Sequence, residues 1–176
     1  MKTSFAELEI ALLPGPDGSA GLEFTFALPG SDTKTRLLGA QAVTARFDME
    51  ALAALQETPV DYGARLASML FAAPRAAIAF ARAREAARGR NLPLRLRLRI
   101  ASGDDPLHGL AWETLADPED DFPLAAKEDV YFSRLLASTD SRPVYLTPRQ
   151  DLRGLVMVAS PTNLDRLGLP VLDVAA

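Results

Sequence analysis

Leu94-Arg95-Leu96-Arg97-Leu98-Arg99-Ile100 alternates apolar and basic residues without a break. Only a strand with one buried face and one wet face satisfies that pattern. Working outward, the next informative stretch is Leu107-His108-Gly109-Leu110-Ala111-Trp112-Glu113-Thr114-Leu115, which holds the only Trp and the only His of the chain. Ser102-Gly103-Asp104-Asp105-Pro106 before it reads as a turn, and a short Pro-started helix is expected to carry Trp112. An acidic loop, Asp117 to Phe122, leads to a strand over Val130 to Leu136, and Pro143 to Pro148 reads as an extended link. Leu152-Arg153-Gly154-Leu155-Val156-Met157-Val158-Ala159-Ser160-Pro161-Thr162-Asn163 is an apolar run closed by a polar loop. A buried parallel strand ends that way, so Leu155 to Ala159 is expected to be the first strand of a parallel sheet.

Upstream of the basic strand, Phe5 to Leu13 places Leu8, Ile10 and Leu12 on one strand face and Glu7 and Glu9 on the other. Pro14-Gly15-Pro16-Asp17-Gly18 turns it into a second alternating run, Leu22 to Leu28, which makes a hairpin. A third strand is expected from Thr35 to Arg46, with a bulge at Gly39. Asp48 then caps a helix running to Glu57 and ended by Thr58-Pro59, and a second helix starts near Asp61 with Leu66, Met69, Leu70 and Phe71 in its apolar stripe. A third runs from Pro74 to Arg88, with Gly89 at C′ and Arg82, Arg84 and Arg88 suited to the helix dipole.

The chain has 176 residues, 48% of them hydrophobic and 24% charged, which suffices for a single core. One domain over 1–176 is expected, divided into a strand-hairpin and helical stretch, 1–91, and a stretch with the basic strand, the Trp-Glu helix and the first core strand, 92–176. A net charge of −4 opposes general nucleic-acid binding. The absence of cysteine removes disulfides, thiolate metal sites and thiolate nucleophiles. Met1-Lys2-Thr3-Ser4 leads straight into acidic and apolar alternation, and no apolar run approaches the length of a membrane span, so a cytoplasmic setting is expected.

Taken in order, the basic strand, the Trp112-Glu113 pair, the Tyr131-Phe132-Ser133-Arg134 segment and the run ending in Ala159-Ser160-Pro161 resemble the front half of CHAT domains, a family of caspase-like cysteine peptidases. The family pattern reads Pro-Trp-Glu, and Ala111 stands where that Pro would be. The resemblance is loose over Phe5 to Asp173 and close over Leu94 to Pro161. It implies an α/β fold in which antiparallel strands and helices lead into the first strand of a caspase-like sheet. It also implies a parent cysteine endopeptidase whose His and Cys follow that strand. The chain would then be a non-catalytic amino-terminal portion with a scaffolding or regulatory role in bacterial signalling or defence, partnered by a carboxyl-terminal peptidase half. The alternative is a stand-alone protein-binding module with no peptidase role.

No residue set in the sequence assembles a catalytic, cofactor or metal site. His108 with Asp104 or Asp105 lacks the further ligands at helical spacing that metal chemistry requires, and Ala159-Ser160-Pro161 is not a nucleophile elbow. Ser160, Thr162 and Asn163 are candidates for the rim of a cleft, because crevices form at the carboxyl ends of parallel strands. Trp112 is expected to anchor a structural contact and Glu113 to pair with Arg134. The Arg95, Arg97 and Arg99 face is expected to keep an edge strand soluble, neutralised by Asp104, Asp105, Glu119, Asp120 and Asp121 nearby in sequence. The Ala-rich helix is expected to pack within the domain. An uncovered Leu155 to Ala159 strand would favour self-association.

Overall fold

In a computed structural model of the chain, β1 (Ala6–Pro14) lies between an antiparallel neighbour, β2 (Ala20–Ala27), and a parallel one, β5 (Leu94–Ile100). The described residues are 4–15, 19–31, 33–39, 41–101 and 106–136, all within one compact unit. The remaining strands are β3 (Thr35–Arg36), β4 (Val43–Ala45) and β6 (Val130–Leu136). They complete a six-stranded mixed sheet in the order β3-β2-β1-β5-β6, with β4 also on β2. Three helices, α1 (Met49–Ala53), α2 (Pro59–Leu70) and α3 (Pro74–Arg88), connect β4 to β5. The chain is therefore an α/β protein.

The apolar/polar alternation sorts the sheet into two faces. Leu8, Ile10 and Leu12 of β1, Leu22 and Phe24 of β2 and Leu94, Leu96, Leu98 and Ile100 of β5 are buried in one core with Leu66 and Leu70 of α2 and Ala76, Ala79, Phe80, Ala83 and Ala87 of α3. Small side chains on α3 let it approach the sheet, which spends the Ala-rich face on the core as expected from the sequence.

Several expectations need correction. The strand expected over Thr35 to Arg46 is two short strands. Thr35–Arg36 pairs with Thr25 and Phe26, and Val43–Ala45 pairs with Ala20, Gly21 and Leu22, so the six residues 37–42 stand against only Glu23 and Phe24. The excess is too large for a bulge: Leu38 turns into the core, and Gly39 takes a left-handed backbone at φ 68°. Pro59 does not merely end α1; it opens α2 as an N-terminal proline, and α1 stops at Ala53. Gly89 is right-handed at φ −61°, and the left-handed residue after α3 is Asn91 at φ 52°. Trp112 sits on the second of two 3₁₀ turns, Pro106–Gly109 and Trp112–Thr114, rather than on one helix.

The largest correction concerns the basic strand. β5 is not an edge strand: β1 and β6 flank it, both parallel to it. Parallel pairing thus begins with β1, β5 and β6, before the segment Leu155 to Ala159, which lies outside the described residues. No single helix among the described residues is long and apolar enough to cross a membrane.

Candidate functional site

Three side-chain assemblies stand out, and the first centres on Trp112. Its ring is fully buried, its Nε1 donates to the Leu107 carbonyl at 2.7 Å, and it meets Phe47 edge-on with ring centres 5.5 Å apart. A buried indole N–H needs such an acceptor. Gly63 of α2 backs the turn, its carbonyl accepting from Ala116 N at 3.2 Å. A methyl group at Gly63 would overlap the Thr114 carbonyl, so only glycine permits this approach. From β6, Arg134 reaches Glu113 Oε1 with Nε at 3.0 Å, and its Nη1 donates to the carbonyls of His108 at 3.3 Å and Leu110 at 3.4 Å. One guanidinium thus ties both 3₁₀ turns to the sheet. Glu113 is 59% exposed, so this pair acts as a surface clasp and not as a buried ion pair.

His108 Nε2 lies 2.9 Å from the Ala101 carbonyl, which pins the 3₁₀ turn to the end of β5. Asp104 and Asp105, its suggested acid partners, lie outside the described residues, as do Ser160, Thr162 and Asn163. Among the described residues no group of three His, Cys, Asp or Glu side chains could hold a metal ion. The chain contains no cysteine and so cannot itself be a cysteine peptidase.

The second assembly was not anticipated. Arg84 of α3 is 2% exposed and pairs through Nη1 with Asp117, which is fully buried. Lys127 Nζ closes on the same carboxylate at 2.8 Å and on Asp120 at 2.6 Å. Glu119 and Asp129 lie on the exposed side of Arg84, at 3.4 and 4.0 Å, and both also reach Arg88. Burial, aided by Arg88, pushes the Arg84 pKa down, while Glu119, Asp129 and Asp120 pull it back up. The group stays charged at neutral pH. Lys127 also holds the Asp120 carboxyl below its ordinary pKa, helped by the backbone N–H of Phe122. Arg84 joins α3 to the loop that follows the Trp turn, so the two assemblies hold one segment from opposite ends. A sequence signal existed: Arg84 falls four residues after Phe80 on the buried stripe of α3.

The third assembly is the open face of the sheet. Registers align Glu23, Ala11, Arg99 and Leu135 in one row across β2, β1, β5 and β6. Thr25, Glu9, Arg97 and Ser133 form the next row, and Ala27, Glu7, Arg95 and Tyr131 the third. Arg99 Nε donates to Glu9 at 2.8 Å, Arg95 to Glu7 at 3.3 Å, and Arg97 lies 3.7 Å from the same Glu7 oxygen. The acids that neutralise this strand are therefore on β1, about ninety residues away in sequence. Of the acids nearby in sequence, Glu119 and Asp120 are engaged by Arg84, Arg88 and Lys127 instead, and Asp104 and Asp105 lie outside the described residues.

Compared with known proteins, the chain matches no family model, no curated protein and no solved structure. Its functional reading therefore rests on these three assemblies. A cavity of about 290 Å³ beside the interrupted pairing of β2, lined in part by Leu22, Arg36, Leu38 and Gln41, adds no convergent reactive groups to them. Arg75 of α3 already holds its wall, donating to the Leu38 carbonyl and to Gln41 Oε1.

Proposed function

We propose that this chain is the non-catalytic amino-terminal portion of a CHAT-like caspase-family cysteine peptidase, working in the cytoplasm as a scaffold or regulator of bacterial signalling or defence. One observation carries the reading. The segments that bear the resemblance are separated in sequence, yet the basic strand, the Trp112-Glu113 turn and the Tyr131-Phe132-Ser133-Arg134 segment pack as a unit. β5 pairs with β6, and Arg134 of β6 clasps the turn. Motifs that travel together in a family are expected to share a substructure, and the joint packing of these three segments supports the reading; the fourth, Ala159-Ser160-Pro161, lies outside the described residues. β6 is also the last strand of the sheet among the described residues, on the side where its parallel part would be extended.

The test uses the endogenous protein. An antibody to the purified 176-residue chain should detect a longer product in the source cells, or one held tightly by a second polypeptide, and a peptidyl chloromethyl ketone should label a cysteine in that material. The purified chain should take no label. If the endogenous product is 176 residues by intact mass and no labelled polypeptide accompanies it, the stand-alone protein-binding module replaces this reading.

A further inference from the structure

We propose that the open face of the sheet is a docking surface for an acidic amphipathic helix of a protein partner, with Arg97 at its centre. The inference stands apart from the family reading. β1, β5 and β6 are parallel, and parallel strands ordinarily have both faces covered. Here the even-numbered face is buried, while on the other face the side chains of Arg95, Arg97 and Arg99 are each about a third exposed.

Charge decides the kind of cover. The central rows set three guanidinium groups against two carboxylates, Glu7 and Glu9, and Lys34 borders them beside Thr25 and Arg97. Glu23, the remaining acid of the face, is separated from Arg99 by Ala11. The Arg97 side chain makes no hydrogen bond among the described residues and shares its one carboxylate oxygen with Arg95. On its other side the register places Ser133, exposed, its hydroxyl also without a hydrogen bond among the described residues. The surplus positive charge is thus central and flanked by a hydroxyl, an arrangement that a carboxylate completes.

One border of the face is aromatic. Tyr131, 49% exposed, meets Phe5 edge-on at 5.0 Å, and the Arg95 guanidinium lies 4.2 Å from the Phe5 ring centre. Tyr and Arg in such settings dominate protein interfaces. Arginines two residues apart on a strand recur about every 6.6 Å. Carboxylates four residues apart on a helix recur about every 6 Å, so a row of glutamates on one helix face matches the arginine column. The alternative polyanion, a nucleic acid, carries a charge about every 3.4 Å along each strand, against about every 6 Å on the helix row, so the net charge of −4 opposes it more strongly than a short acidic helix.

The probe is a fluorescent, end-capped helical peptide with glutamates at four-residue spacing on one side and leucines flanking them, titrated with the full chain in low salt. Saturable binding is expected, weakened roughly tenfold or more when the peptide glutamates become glutamine or when the chain carries Arg97→Glu. Arg65→Gln on the exposed side of α2 should leave it unchanged. Pairing Arg97→Glu with a lysine version of the peptide should restore binding, which separates lost charge matching from a misfolded variant. The proposal fails if the acidic peptide does not bind, or if binding ignores Arg97. It also fails if a single-stranded RNA oligomer binds more tightly through the same face, or if the face is occupied by a second copy, seen as a dimer that Arg97→Glu dissolves.

Discussion

Leu8, Ile10 and Leu12 look down from β1 into the core, while Glu7 and Glu9, one residue over, look up toward the arginines of β5. The two faces share every strand and every backbone hydrogen bond, yet they are held by different physics. The lower face is a volume problem: its side chains are almost wholly removed from water, and each lost methylene leaves a void. The upper face is a charge-counting problem in partial solvent, where each pair contributes little. A slip of one residue in any pairing would exchange the two sets, so the lower face fixes the register and the upper face inherits its geometry.

The contrast should break first at the cover of the lower face. Trp112→Ala removes the largest fully buried side chain and the hydrogen bond to Leu107, and is expected to cost about 3–5 kcal/mol in denaturant melts. A loss below about 1 kcal/mol would mean that the 3₁₀ turns do not seal the core. A paired comparison sharpens the difference between the faces. Leu98→Ala points down and should cost about 2–5 kcal/mol, whereas its neighbour Arg97→Ala points up and should cost less than about 1 kcal/mol. Equal losses at adjacent positions would abolish the distinction. The smallest effect lies at the exposed rim of the Arg84 cluster. The Asp120 carboxyl is held below its ordinary pKa in the folded chain, so its contribution is fully present above the unfolded value and lost as pH falls through the folded one. Melts across the acid range should show the parent the more stable near neutrality, a shallower acid decline for Asp120→Asn than for the parent, and the two curves converging below the usual carboxylate range. Identical acid slopes would mean that Lys127 exerts no such hold.

Local pattern made much of this legible. The run Leu94 to Ile100 alternates so strictly that its strand has the bounds the sequence suggests, and Val130 to Leu136 and Pro74 to Arg88 also stand as read. The Glu113 to Arg134 contact is expected from a partly buried carboxylate that needs a partner beside an anchoring Trp, and the pair forms although Glu113 is exposed. What escaped depends on neighbours far away in sequence. Alternation says that β5 has two faces, but not that β1 would lie beside it with Glu7 and Glu9 in register. The split of Thr35 to Ala45 into two strands is also invisible locally, because residues 37–42 are displaced by where β2 pairs on either side of them. Arg84 was misassigned to helix-dipole duty because its partner, Asp117, is contributed by a loop thirty-three residues on.

The parallel pairing of β1 with β5 also governs how the chain is made. Glu7 and Arg95 are separated by 88 positions. The β1–β2 hairpin closes within the first twenty-seven residues, so it can form early as the chain is synthesised. The other backbone edge of β1 must then wait until α1, α2, α3 and β5 have been added. Contacts of such long sequence separation slow folding, because the loop must be closed before the pairing rewards it. During that interval the nascent hairpin displays an unpaired strand edge with Leu8, Ile10 and Leu12 still uncovered, a template for intermolecular pairing. The arrival of residues 94–100 ends that exposure, which makes the basic strand the step that commits the chain to its own sheet.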